Sequence, residues 1–261
     1  MKFRGAIRLL AAIPSLTIAA CSGSLPPLRG QMVVGRDAYA VFVAGNSPAG
    51  GDLYAVRAEG GAAVPITFTN VGESRPRLSP DGTSIVFLRG RSLTDSTSAS
   101  LWVMNLLNGA ERELVLPKGA GPPLAAAWSE DGRAIVASTT SGLYRFGAPP
   151  PPAADASRPV TTAERAAAES SLAVLLGRPA FARVVACAEP GVLCIESDSG
   201  GPSMLAPRAH DALAWGDDSV AYFVGDEVEV RPLGQGRSRR LDITGPPRPR
   251  QMTAFTGLPS P

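Results

Sequence analysis

His210 is the one histidine among 261 residues, and that count bounds the chemistry available. A metal site built from several histidines is excluded by number, and a serine–histidine–aspartate triad would have to use this single imidazole. No Gly-x-Ser-x-Gly turn accompanies it, the nearest Gly-Ser pair being Gly23-Ser24 near the start of the chain. His210 is read as a loop residue ahead of the apolar run Val220–Val224. Asp81, Asp131 and Asp217 belong to Ser-Pro-Asp-Gly, Ser-Glu-Asp-Gly and Gly-Asp-Asp-Ser segments. There Pro presets φ, Asp bonds the backbone and Gly supplies positive φ, so these carboxylates are turn residues. No Asp-x-Asp-x-Asp-Gly loop suggests calcium. The expectation is a chain with no catalytic residue, no metal and no cofactor, and hence not an enzyme. Cys187 and Cys194 flank Glu189-Pro190-Gly191, and a hairpin centred there puts both side chains on one face of neighbouring strands. Six intervening residues without nearby histidines make a poor zinc site, so a disulfide and two buried thiols are the readings left.

The segment 231–250 holds Arg231, Arg237, Arg239, Arg240, Arg248 and Arg250 against Asp242 alone. Such a run is either a solvated turn face or a surface for a partner, with Arg237, Arg239 and Arg240 the candidate contacts for anionic lipid or polysaccharide. The opening of the chain is different. Lys2, Arg4 and Arg8 precede a mostly apolar stretch, Leu9 to Ala20, too short to span a bilayer as a helix. Residues 1–20 therefore read as a signal peptide. Their three cations carry the basic balance: the formal net charge of +2 becomes −1 without them. A near-neutral exported body argues against nucleic acid as partner.

Leu16-Thr17-Ile18-Ala19-Ala20-Cys21 resembles the bacterial lipobox. The resemblance implies a diacylglyceryl thioether on Cys21 and an acylated N-terminus, and so attachment to the cell membrane or outer membrane, facing the periplasm or exterior. Two or more chains hold stably where one does not, at about 0.8 kcal/mol per buried CH₂. Export also permits a Cys187–Cys194 bridge. Residues 21–30 read as a tether of at most about 30–35 Å.

These groups must be positioned by strands. An apolar share of 44% with 28 Gly and 25 Pro suits a β-rich core punctuated by tight turns. Five pairs of β-branched and aromatic runs follow the tether: Tyr39–Val43 with Leu53–Val56, Ser84–Leu88 with Leu101–Met104, Ala134–Ala137 with Leu143–Phe146, Arg183–Cys187 with Val192–Ile195, and Val220–Val224 with Val228–Val230. Outer fourth strands are expected at Ala63–Phe68, Arg112–Leu116, Arg158–Thr162, Pro202–Ala206 and Arg239–Ile243. Inner first strands precede the Asp-containing turns. Units of about 40–45 residues with four strands each are blades of a β-propeller.

Leu78-Ser79-Pro80-Asp81-Gly82, Ile85-Val86-Phe87, Leu101-Trp102-Val103-Met104-Asn105 and Gly109 resemble the WD40-like repeat of TolB-type propellers, a repeat shared with prolyl-oligopeptidase-type peptidases. The resemblance implies an all-β propeller over residues 31–261, of five four-stranded blades, or six if the Pro/Ala-rich region hides another. Arg250–Phe255 resembles the run before Leu78 and would supply the inner strand of blade one, with Gln31–Val34 as rival. Residues 147–169 read as an insertion, Gly147–Ala156 with its four prolines, followed by a short capped helix. The functional expectation is a membrane-anchored, non-catalytic interaction module with an envelope protein as partner. The alternatives are a propeller lyase, lactonase or hydrolase, and a glycan- or peptidoglycan-binding module. The last would need Tyr54, Trp102, Tyr144 and Trp215 exposed, whereas their repeat positions suggest core packing.

Overall fold

The computed structural model describes residues 27–47, 50–90, 99–129, 131–147, 158–159, 183–187, 192–197, 200–215, 219–232, 236–246 and 249–255. Among these residues every regular element is a strand. Blade one contains β1 (Tyr39–Ser47) and β2 (Gly50–Arg57), with the short edge pieces β3 (Gly61–Ala62) and β4 (Val64–Pro65). Blade two is β5 (Gly72–Leu78), β6 (Ser84–Gly90), β7 (Ser100–Asn105) and β8 (Glu111–Glu113). Blade three is β9 (Pro123–Trp128), β10 (Ala134–Thr139), β11 (Gly142–Gly147) and β12 (Arg158–Pro159). Blade four shows β13 (Arg183–Ala186), β14 (Leu193–Ser197) and β15 (Gly200–Met204). Blade five is β16 (Ala209–Ala214), β17 (Ser219–Val224), β18 (Glu227–Pro232) and β19 (Arg239–Leu241). Two strands remain, β20 (Ile243–Thr244) and β21 (Arg250–Phe255).

Each blade is an antiparallel meander, and the blades pack face to face as a β-propeller. Its logic is clearest in β1, whose side chains alternate between two interfaces because successive Cβ atoms point to opposite faces. Tyr39, Val41 and Val43 join Ile85, Phe87 and Met104 of blade two, while Ala40, Phe42 and Ala44 join Ala221, Phe223 and Val230 of blade five. Both faces are buried, which is why such strands read as continuous apolar runs. Blades two and three meet through Val86, Leu101 and Leu114 against Trp128, Ile135 and Phe146. Leu193 and Leu205 of blade four meet Val220 and Tyr222 of blade five. The junction between blades three and four falls on residues outside those described. So do the Gly147–Ala156 insertion beyond Gly147 itself, the expected helix, residues 1–26 and any sixth blade.

The four aromatics pack into or against the core as expected. Tyr54 leans on the blade one–five cluster, Trp102 on the blade one–two cluster and Tyr144 on the blade two–three cluster, and Trp215 is buried. Two outer strands are shorter than the sequence suggested. β4 and β8 cover only Val64–Pro65 and Glu111–Glu113, and β4 ends in proline, whereas residues 160–162 of the expected outer strand of blade three lie outside those described. An edge strand presents unpaired backbone, and shortness and proline blunt it. One pairing had no sequence signal: β20 runs parallel to β3, Ile243 opposite Gly61, and ties blade five to blade one at their outer edges.

The ring is closed by β21, which pairs antiparallel with β1 and places Tyr39 opposite Phe255 and Val41 opposite Thr253. The rival segment is a turn: Gln31 and Met32 donate to the Leu28 carbonyl at 3.1 and 3.3 Å. Leu28 is itself fully buried in the blade one–two cluster, so the tether read over residues 21–30 is pinned to the ring before it ends. The closing strand rests on the Ser-Pro-Asp-Gly turn of blade two. Tyr39 Oη donates to the Gly82 carbonyl at 2.5 Å, and the Tyr39 and Phe255 rings lie 6.0 Å apart. Burial, then the charge of Asp81, pushes the Tyr39 phenol upward, so it stays protonated and able to donate.

Candidate functional site at the propeller axis

Of the three Asp-containing turns, the two that are described are built alike, and Asp217 lies outside the described residues. In blade two Ser79 Oγ donates to Asp81 at 2.6 Å, the Thr83 amide donates to the same carboxylate at 3.0 Å, and the Ser84 amide bonds Ser79 Oγ at 2.9 Å. In blade three Ser129, Asp131, Arg133 and Ala134 repeat this at 2.6, 3.0 and 2.9 Å. Gly82 and Gly132 sit at φ 65° and 69°. Burial acts to raise the Asp81 carboxyl, but the bonds from Ser79 and Thr83 outweigh it and hold the group below its ordinary range. Bonds from Ser129 and then Arg133 do the same for Asp131. These carboxylates are committed to turn geometry.

A second group of polar side chains lies on the innermost strands. Three of these, β5, β16 and β21, carry a bulge at the same place, where two residues oppose one on the neighbouring strand: Arg75-Pro76, Asp211-Ala212 and Gln251-Met252. The first residue of each bulge adopts left-handed backbone, with φ of 51°, 50° and 50°. Such a conformation costs a non-glycine residue about 1–2 kcal/mol. A bulge re-aims its side chain, and here Arg75 and Asp211 are exposed and Gln251 is half-buried, while Pro76 and Met252 are buried. Strain repeated at matched positions makes this surface the candidate for a functional site.

The bulges connect across blades. The Arg75 amide donates to Gln251 Oε1 at 2.7 Å, Arg75 Nη1 donates to the Leu124 carbonyl of β9, and the Leu78 amide donates to Thr253 Oγ1 at 3.2 Å. Trp128 Nε1 donates to the Arg77 carbonyl at 3.0 Å. Arg77 is half-buried, and its guanidinium donates to the carbonyl of Pro76 at 2.8 Å. Burial pushes this guanidinium below its ordinary value, Asp211 opposes that shift and Arg75 adds to it. None of the described ion pairs within 4.0 Å includes Arg75 or Arg77. The axis therefore offers two guanidiniums, a primary amide and a hydroxyl, with Asp211 close enough to be felt.

His210 belongs to this surface and not to a loop. It lies in β16 opposite Phe223, its ring stacks on that phenyl at 5.4 Å, and Nδ1 is 3.0 Å from Asp211 Oδ2. No group of three or more His, Cys, Asp or Glu side chains that could hold a metal occurs among the described residues.

The other sequence candidates lie elsewhere. Cys187 and Cys194 are joined by a disulfide, with S–S 2.06 Å and Cα atoms 5.2 Å apart, across the β13–β14 hairpin of blade four. Of the basic segment, residues 237–240 lie at the outer edge of blade five, Arg250 begins β21 in blade one, and Arg248 lies outside the described residues. Arg240 pairs with Glu227 at 2.7 Å, Arg239 reaches the Ala58 carbonyl at 3.3 Å, and Arg237 is exposed beside them. Arg237, Arg239 and Arg240 thus do not join the axial groups. Cys21 lies outside the described residues.

Sequence reasoning missed the axial site, although one signal was available. Arg250–Phe255 matches the run before Leu78, and the match continues through polar residues at the same offset. A polar residue in mid-strand reads as a break in alternation, so the bulges were invisible to a period-two pattern.

No family model matches the chain. A relative from Bacillus subtilis (strain 168), named "Uncharacterized peptidase YuxL", is 34% identical over 83 residues, covering 31% of this chain and 12% of the relative. The chain thus spans about an eighth of that protein's length. Among solved structures, TolB from Acinetobacter baumannii superposes with a TM-score of 0.37 at 14% identity, over 78% of this chain and 52% of TolB. The AtxE2 isopeptidase, an S527A variant with Astexin3-dC4 bound, gives 0.37 at 10% identity, over 83% and 47%. The peptidase name of the Bacillus relative corrects the expectation that the chain is not an enzyme. That expectation rested on counting histidines and elbow motifs within 261 residues, and such a count says nothing about a peptidase of which only 12% is matched.

Proposed function

We propose that this chain is a lipid-anchored β-propeller of the bacterial cell envelope that engages an envelope protein partner at its axis. The observation that carries this reading is the set of matched bulges, which spend backbone strain at three equivalent positions to present Arg75, Asp211 and Gln251 on a rigid ring. The anchor is Cys21, read from the residues before it, and the rim arginines Arg237, Arg239 and Arg240 are placed against anionic lipid or polysaccharide. Photo-cross-linking in cells tests the axial part, with the photoreactive residue at Gln251 and, as control, at Glu113 on the outer strand β8. A discrete adduct is expected from Gln251. Adducts from Glu113 equal to or stronger than those from Gln251 would move the binding surface off the axis. For the anchor, Cys21→Ser should abolish labelling by a metabolic fatty acid, and label retained by that variant would refute it.

The name of the Bacillus relative favours a second reading, in which the propeller serves a peptidase activity by receiving its polypeptide substrate. Cleavage of a peptide library by the purified full chain, compared with an Arg75→Gln variant, separates the two.

A further inference from the structure

We propose that Arg75 and Arg77 form an oxyanion site at the propeller axis, one that takes a carboxylate or phosphate group of the ligand. The inference deepens the axial reading and rests on it. Four observations converge.

The first is supply of donors. A guanidinium carries several N–H groups in a planar fork suited to carboxylate and phosphate. In Arg75 one of them is spent on the Leu124 carbonyl, and in Arg77 one is spent on the neighbouring Pro76 carbonyl. The second is that neither residue takes part in a described ion pair, Asp211 acting on Arg77 only from beyond ion-pair distance. Elsewhere in the same blade the fold does supply one. Arg89 meets Glu73 at 3.0 Å and Glu111 at 2.8 Å. A half-buried cation left unpaired beside another cation is costly, and such an arrangement is relieved by an incoming anion. The third is position. At the place of Arg77, the bulge in blade five is followed by Leu213 and that in blade one by Thr253, so the repeat does not require an arginine there. The fourth is preorganisation. The Arg75 backbone is held in its left-handed turn by the Gln251 amide, and the Arg77 carbonyl is held by Trp128. The donors are thus fixed before a ligand arrives.

Asp211 sharpens the test, because it is the acidic charge that Arg77 feels. It competes with an incoming anion without meeting the arginine directly. Its removal should tighten anion binding, whereas the loss of a purely structural partner would loosen the protein.

The experiment is thermal melting of the detergent-solubilised full chain, titrated with sodium phosphate or with sodium succinate, against sodium chloride at matched ionic strength. Wild type should melt higher in at least one oxyanion than in chloride. That shift should be lost in Arg77→Gln and in Arg75→Gln, and should appear at several-fold lower anion concentration in Asp211→Asn. A response to phosphate alone assigns a phosphate-bearing ligand, and one to succinate alone a carboxylate. Arg75→Gln, at an exposed side chain, keeps the test decisive if Arg77→Gln fails to fold. Wild-type melts equal in all three salts, or a shift that survives both arginine variants, would overturn the site. Gln251 adducts that persist alongside such a result would leave the axial function standing and remove only its oxyanion chemistry.

Discussion

Replacing Gly82 by alanine should damage ring closure more than replacing its counterpart Gly132. Both glycines occupy left-handed backbone in the same turn, at φ 65° and 69°, so each alanine bears about 1–2 kcal/mol of conformational cost. The surroundings differ. A Cβ on Gly82 would lie 2.5 Å from Cγ of Phe255 and 2.7 and 2.8 Å from its two Cδ atoms, whereas a Cβ on Gly132 meets nothing nearer than Pro80 Cδ at 3.7 Å. Phe255 is buried on the closing strand and cannot yield without disturbing Tyr39, so the clash adds an overpacking cost of about 1–3 kcal/mol. Gly82→Ala should therefore cost about 2–5 kcal/mol, a large share of the roughly 5–15 kcal/mol that holds a typical domain folded. At about 2–4 °C per kcal/mol for a protein of this size, Gly132→Ala should lower the melt by about 5 °C and Gly82→Ala by about 10 °C. A double-mutant cycle isolates the contact. In a Phe255→Ala background Gly82→Ala should cost no more than Gly132→Ala, a coupling of about 1–3 kcal/mol. Equal melts for the two glycine variants, or costs additive within about 0.5 kcal/mol, would refute the argument that this turn bears on the clasp.

Three further outcomes follow from the same geometry. Cys194→Ser opens a loop whose ends are seven residues apart and should cost about 2–3 kcal/mol by the loop-entropy relation; an unchanged chemical-denaturation midpoint would contradict this. Asp81 has a depressed folded pKa, so the advantage of wild type over Asp81→Asn should be complete above the ordinary carboxylate range and vanish as pH falls through the folded value; melts across that range that keep a constant gap would show the carboxylate is not the cause. Arg240→Ala removes an exposed pair with Glu227 and should change stability by less than about 1 kcal/mol, so a larger loss in the melt would reveal a structural role for the rim.

Blade identity was legible because propeller strands are buried on both faces, and Tyr39–Val43, Ser84–Leu88 and Val220–Val224 stand out as unbroken apolar runs. The turns were legible because Ser-Pro-Asp-Gly needs particular φ values that few residues supply. Closure by Arg250–Phe255 could be read only as one of two options, since pairing across some 200 residues leaves no local trace. The parallel β3–β20 seam, two residues on each side, carries no periodicity at all. The axial residues were hidden for a different reason. Asp211 and Gln251 are placed by a left-handed backbone conformation that non-glycine residues seldom adopt, so local propensity gives no sign of that geometry.

Leu28 and Phe255 share one cluster, so the segment leading from the proposed anchor and the strand that shuts the ring meet in the same packing unit. About 20 Å of extended chain separates Cys21 from Pro27. A pull transmitted from the bilayer would reach blade one before any other part of the ring. Blade one also takes strands from residues 39–57 and 250–255, so it cannot be completed until every intervening blade has been made. Under the proposed anchoring, the blade that first receives a load from the membrane would be the one whose clasp is the last to form.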